Sequence, residues 1–404
     1  MGKKRKVKQQ MFVETTPEMA FEALTRASEL REWFSDGAWT QVQPGGRYGV
    51  HWNQGYHAEG TFTKVEPPHR AVITWQGTGE PGASKVKFTF EEVEGGVEVK
   101  VVHEGFGSGE EWDAAVEQAE RGWSVGLENL KSTLETGLDL RLTRQPFLGI
   151  LLDLVTPERA ERDGLAVEHG IWVLGTVEES GAHAAGLSQG DIIVALGGKE
   201  TPGFAELGAA LRACQVGDVV DVALVRGQEQ ETVQVTLGSR PQPDVPASAA
   251  ALADRVAAQY EEANAELKAA LEGVGEEEAG VQPAEGEWSA KQVLAHLSDG
   301  ERGLHVLLVN VAVNGWLDGG PIYPNQIPGR LDAILTVAPT LAELLDRVQT
   351  DCAETVALLR GLPEETLAHK ARFRRIVDIV SYGGDHTREH IAQIQAAIES
   401  ARGV

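Results

Sequence analysis

Cysteine is nearly absent: Cys214 and Cys352 are the only two in 404 residues. They lie in different stretches and form no close-spaced pair, which excludes a disulfide framework and a cysteine-based zinc site. Both read as small core residues. Positive charge is also scarce, with 36 Lys and Arg against 61 Asp and Glu and a formal net charge of -25. Phosphate backbones are held by Lys and Arg, so nucleic acid is a poor partner for this chain. No apolar run approaches the roughly 20 residues that span a bilayer, which argues against a membrane partner. The basic opening Lys3-Lys4-Arg5-Lys6-Val7-Lys8 runs into Gln9-Gln10 rather than an apolar signal core, so a cytoplasmic location is expected. That opening reads as a solvated, disordered start, with a short import signal or polyanion-contacting tail as the sharper alternative.

What is present is enough hydrophobic material for several cores. The 42% hydrophobic and 24% charged content suits packed domains, and the length predicts two to four of them. Two stretches break the periodic patterns: Gly137 to Pro146, and Ser239 to Pro246, where Pro241, Pro243 and Pro246 forbid helix and central strand alike. The expected divisions are 1–140, 145–240 and 247–404, with no internal repeat.

In the first part, Thr16-Pro17 opens a short helix containing Phe21 and Leu24. Tyr48, Val50 and Trp52 then alternate with more polar positions, and strand-like runs follow at 61–65, 71–75, 86–90 and 97–102. A long closing helix carries Val116, Ala119, Trp123, Leu127, Leu130 and Leu134 on one stripe, which a curved antiparallel sheet would bury. The segments 17–34, Gln43-Pro44-Gly45-Gly46-Arg47-Tyr48 and Val65-Glu66-Pro67-Pro68-His69-Arg70 resemble START-like (SRPBCC) proteins related to the activator of heat-shock protein 90 ATPase. That resemblance implies a helix-grip domain with an apolar cavity for a small molecule or client, with Trp33, Trp52, Trp75 and Trp123 as candidate lining residues. No carboxylate pair or triad of catalytic spacing stands out here.

In the middle part, Phe147-Leu148-Gly149-Ile150 places glycine between apolar residues at a strand start, where successive backbone N–H groups can turn toward an anion. Gly186-Leu187-Ser188-Gln189-Gly190-Asp191-Ile192-Ile193 supplies a tight turn feeding an apolar strand, and a helix is expected from about Phe204 to Cys214. Together these are similar to the PDZ domains of bacterial secreted-protease and chaperone families. The resemblance implies that the N–H groups of Leu148, Gly149 and Ile150 hold a peptide's C-terminal carboxylate. The peptide would add as a strand at Ile150 beside Leu207 and Leu211, with Arg144 contributing charge. Pro146 departs from the family pattern, in which a glycine is usual, and removes one N–H donor. The chain's own Val404 is a candidate occupant.

The last part shows four helical patterns: 248–271, one opening at Ser289 with Gln292, one at Thr340 with Glu343, and one from about Arg375 to Ser400. Gly315 to Pro339 reads as a long connection. His386 and His390 share a helix face at i, i+4, and His296 lies within an apolar face of Val293, Leu294 and Leu297. The segments 287–297 and 385–394 resemble the two signature segments of the DinB-like family of four-helix metalloproteins. The resemblance implies a divalent metal, zinc, nickel or iron, on His296, His386 and His390, and relatives that use a low-molecular-weight thiol. Asp299 is a candidate supporting residue, and His305 and His369 are expected on the solvent side.

The chain thus reads as multidomain α+β: a helix-grip α/β domain, a PDZ-type β-barrel-like domain with two helices, and an all-α four-helix bundle. Two functions remain open. One is a modular binding protein that takes a peptide or protein C-terminus and an apolar small molecule. The other is a metal- and thiol-dependent transferase or hydrolase fed by the flanking domains. Fold likeness alone does not choose between them.

Overall fold

The computed structural model describes residues 5–242, 244–284, 286–314, 329–381 and 383–403. The chain folds as two compact units, one built from 1–138 together with 243–404 and the other from 139–242.

The first half of the larger unit is a seven-stranded antiparallel sheet clasping a long helix. Its strands are β1 (Arg5–Val13), β2 (Gly37–Thr40), β3 (Arg47–His51), β4 (His57–Glu66), β5 (Arg70–Gly77), β6 (Ser84–Val93) and β7 (Gly96–Phe106), in the order β1-β7-β6-β5-β4-β3-β2. Helices α1 (Pro17–Thr25) and α2 (Ala27–Trp33) precede β2, and α3 (Glu110–Thr136) closes the domain. Thr16 caps α1 by accepting from the Met19 N–H, with Pro17 in its first turn. Strand β7 alternates from Gly96 to Glu104, burying Val97, Val99 and Val101 against Trp123, Leu127 and Leu130 of α3.

The opening of the chain is not the disordered tail its charge suggests. Arg5–Val13 is paired along its length with β7, from Arg5 opposite Phe106 to Val13 opposite Val97. Val7 and Val13 are buried, and the Arg5 guanidinium bonds Asp113 on α3. Alternation with β7 explains the strand: the charged residues face water while every second side chain reaches the core. Lys3 and Lys4 lie outside the described residues.

The smaller unit runs α4 (Leu140–Thr143), β8 (Pro146–Phe147), β9 (Ile150–Val155), α5 (Pro157–Asp163), β10 (Gly170–Thr176), α6 (Gly181–Ala184), β11 (Ile192–Leu196), β12 (Lys199–Glu200), α7 (Phe204–Arg212), β13 (Val219–Arg226), β14 (Glu229–Thr236) and β15 (Gly238–Ser239). Its main sheet is ordered β14-β13-β11-β10-β9, which leaves β9 at one end. The Gly190-Asp191 turn is held from within: Asp191, 1% exposed, takes a two-pronged bond from Arg226 at 2.8 and 2.7 Å and accepts the Ser188 N–H.

The remaining helices are α8 (Ala249–Ala270), α9 (Ala290–Asn314), α10 (Gly329–Val337), α11 (Leu341–Arg360), α12 (Glu364–Ala368), α13 (Lys370–Val380) and α14 (Gly383–Arg402). Leu252, Val256, Leu294, Leu344, Val348, Ile376 and Ile394 meet in one core. Both predicted capping boxes are present: Thr340 and Glu343 reciprocate, as do Ser289 and Gln292. The expected single last helix is instead the pair α13 and α14. Within the expected long connection, Gly329–Val337 is the helix α10, while residues 315–328 lie outside the described residues.

Candidate metal centre and ligand sites

The three histidines singled out in the sequence converge. Their candidate ligand nitrogens all lie within 4.8 Å of one another. Ring centroids are 4.8 Å apart for His296–His390 and His386–His390, and 5.4 Å for His296–His386. Helical geometry accounts for this, since positions 386 and 390 stack one turn apart on α14 while His296 enters from α9. His296 is 8% exposed, and its Nδ1 is buried without a hydrogen-bond partner. Burial first, and then the neighbouring His390 and His386, holds its pKa down to about 4. His386 is lowered for the same reasons, burial and then His390. Neutral imidazoles keep their lone pairs, so this donor set suits a borderline divalent cation.

Nearby groups orient these rings. The Gln393 amide oxygen accepts from His390 Nδ1 at 2.8 Å, which leaves Nε2 as that ring's lone-pair donor. The Trp288 indole lies 4.8 Å from His296, centroid to centroid. Asp299, 4% exposed, is paired with Arg330 of α10, and its Oδ2 is buried without a partner. Gln393 sits three residues beyond His390, a spacing that could have flagged it in the sequence. Arg330 carried no such signal, because it meets Asp299 only in the fold.

His305 and His369 do not face solvent freely, contrary to expectation. His305 Nε2 bonds the Asp351 carbonyl at 3.0 Å and Thr355 Oγ1 at 2.9 Å. Thr355 in turn donates to Glu301 at 2.8 Å, and Tyr260 donates to the same carboxylate at 2.9 Å. Burial raises the Glu301 carboxyl above its usual range. His369 is half-buried beside Glu29. Polar groups inside a bundle attract one another once desolvation leaves no water for them, and single-helix periodicity does not reveal such pairings.

In the first domain the four tryptophans gather around Phe34. Its ring centroid lies 4.9 Å from Trp33, 5.2 Å from Trp52 and 5.2 Å from Trp123, stacked on the last, and Trp75 is 5.8 Å from Trp123. Trp33, Trp75 and Trp123 are buried, and Trp52 is partly so. His103 completes the group. The Trp123 indole donates to His103 Nδ1 at 3.3 Å, so Nε2–H donates to Ser84 Oγ at 2.6 Å, and that hydroxyl donates to the Trp75 carbonyl. Burial lowers the His103 pKa to about 4.

In the smaller unit Leu148, Gly149 and Ile150 form the turn into β9. The Leu148 and Gly149 carbonyls accept from Ala182 and Val177, whereas no acceptor among the described residues takes the N–H of Leu148 or Gly149. Gly149 has φ +88, and a Cβ there would stand 2.1 Å from Ser180 Cβ. Glycine is therefore demanded by the backbone and by Ser180 together. Leu207 is buried and Leu211 half-buried, both in the domain core. Arg144 is exposed at the end of α4, and Pro146 pairs with Ser239. Val404 lies outside the described residues.

Comparison with known proteins follows the same three-part division. Residues 14–135 match the family model of the activator of Hsp90 ATPase homolog 1-like protein, 146–237 that of the PDZ domain, and 259–394 that of the DinB superfamily. Among curated proteins, the periplasmic pH-dependent serine endoprotease DegQ of Escherichia coli is 33% identical over 122 residues, which is 29% of this chain and 27% of that protein. A probable periplasmic serine endoprotease DegP-like from Marinomonas is 33% identical over 95 residues, 24% of this chain and 20% of that one. The chain thus spans between a fifth and about a quarter of the length of these two relatives. Similar solved structures include the Aha1 dimer from Colwellia psychrerythraea, 22% identical over 32% of this chain and 96% of that one with TM-score 0.29. An Hsp90 activator from Plasmodium falciparum is 25% identical over 32% and 95%, also with TM-score 0.29. In chain order, this protein joins an Hsp90-ATPase-activator-like domain, a PDZ domain and a DinB-like helical domain.

Proposed function

We propose that the protein is a modular binding protein whose helical domain holds one divalent metal, zinc, nickel or iron, on His296, His386 and His390. The convergence of three imidazoles, one with a buried and unpartnered Nδ1, carries this reading. The metal would supply Lewis acidity at that point, acting on a thiol or water. Gln393 fixes the His390 tautomer, and Trp288 shields one side of His296.

The PDZ domain takes a peptide or protein C-terminus. The free N–H groups of Leu148 and Gly149 and the terminal position of β9 support that assignment. The first domain takes an apolar small molecule or client against Trp33, Trp52, Trp75 and Trp123. Calorimetric titration of the metal-stripped full chain with zinc and with nickel tests the central assignment. One site per chain is expected, and it should vanish in His386→Ala. Absence of stoichiometric uptake by the wild type would overturn the reading.

A further inference from the structure

In a chain of net charge -25, the segment Lys370-Ala371-Arg372-Phe373-Arg374-Arg375 is unusually basic. It forms the first half of α13. Phe373, Ile376, Val377 and Val380 bury one face of this helix in the bundle core, so its arginines are free to face elsewhere. They meet α2 of the first domain. Arg375 forks onto Glu32 at 2.5 and 2.6 Å, and Arg372 bonds Glu29 at 2.8 Å. Glu29 and Glu32 are 8% and 7% exposed.

The spacing is matched. Glu29 and Glu32 stand three residues apart on α2, and Arg372 and Arg375 stand three apart on α13, so one helical turn of each presents its charges in register to the other. Arg372 also reaches the Ala312 carbonyl of α9, which braces it from the bundle side. Beside this pair, Lys370 Nζ bonds the Glu135 carbonyl of α3 at 2.5 Å. The backbones come close there as well. Gly137, which caps α3 at φ +75, would place a Cβ 2.6 Å from the Lys370 carbonyl. A void of only about 20 Å³ remains among Ala23, Trp33, Thr133, Leu134 and the start of α13.

An ionised carboxylate this deeply buried needs a cation or hydrogen-bond donors beside it, and here Arg372 and Arg375 supply the cations. Fork geometry, matched spacing and a glycine-only backbone approach occur together at one contact. We infer that α13 is a docking helix whose Arg372 and Arg375 clamp α2 through Glu29 and Glu32, joining the two flanking domains into one body with the PDZ domain carried between them in sequence. The clamp residues neighbour both candidate sites in sequence. Glu32 adjoins Trp33 and Phe34 of the aromatic group, and α13 is followed within three residues by the helix of His386 and His390.

Charge reversal in the full chain tests this inference, with hydrogen–deuterium exchange as the readout. Glu32→Arg is expected to speed exchange at the start of α13, and Arg375→Glu to speed it in α2, each by tenfold or more. The double reversal should return both helices to within about threefold of wild type. Single reversals that leave the opposite helix unchanged, or a double reversal no better than either single, would overturn the clamp. Should the reversals fail to fold, the milder pair Glu29→Gln and Glu32→Gln gives the same readout. Faster exchange in α13 supports the clamp, and unchanged exchange contradicts it.

Discussion

At the scale of single residues, the structure turns buried titratable groups into measurable quantities. His103 is 1% exposed, and burial holds its pKa down to about 4, against an ordinary value of 6.5. The unfolded chain therefore binds a proton at a pH where the folded domain does not. Its contribution is fully present above pH 6.5 and is lost as pH falls toward 4, amounting to about 3 kcal/mol across that window. Chemical denaturation between pH 7 and 4.5 should show the slope, and His103→Asn should flatten it. If the two proteins show equal slopes, the buried neutral imidazole is not the cause.

Gln393 offers a second test at this scale. Gln393→Leu leaves the three histidines in place but frees the His390 tautomer, and about tenfold weaker zinc or nickel affinity is expected. Unchanged affinity would mean that the amide does not orient the ring. The three histidines were legible in the sequence because i, i+4 spacing and an apolar helix face are local features. The partners Arg330, Phe34 and Ser180 were not, since each meets its site through contacts between elements distant in the chain.

At the scale of elements, helices and strands with a clean period were readable, and charge misled where it overlay that period. The strand over Arg5–Val13 looks like a basic tail until β7 is placed beside it. Conversely, the helical pattern read from about Arg375 to Ser400 gave no sign of the break after Val380. The basic residues of α13 carry no signal of their own in the sequence, because their use depends on carboxylates some 340 positions earlier.

Substitution at Gly149 is a poor test of the carboxylate cradle. A bulky residue there collides with Ser180 and needs a strained φ, so loss of peptide binding in such a variant would report misfolding as readily as a lost cradle. A cleaner probe leaves the protein intact and changes the peptide. Blocking the C-terminal carboxylate as an amide should weaken binding tenfold or more, if the Leu148 and Gly149 N–H groups hold that anion. Equal affinity for acid and amide would move recognition elsewhere on the domain.

At the scale of the whole molecule, three scaffolds were visible in order from composition breaks and short motifs, and the family comparisons reproduce that order. Two compact units rather than three were not foreseeable, because the docking of first and last domains rests on side-chain register across separate helices. Each scaffold contributes a recognisable structural feature: an aromatic cluster, a terminal strand beside N–H groups that no acceptor among the described residues takes, and a histidine triad. The triad makes the strongest chemical claim. X-ray absorption of the zinc-loaded full chain addresses it most directly. Three imidazole nitrogens at about 2.0–2.1 Å are predicted, with His386→Ala removing one of them or the metal itself. A shell without imidazole scattering, or a spectrum unchanged by that substitution, would contradict the assignment of His296, His386 and His390 as the metal centre.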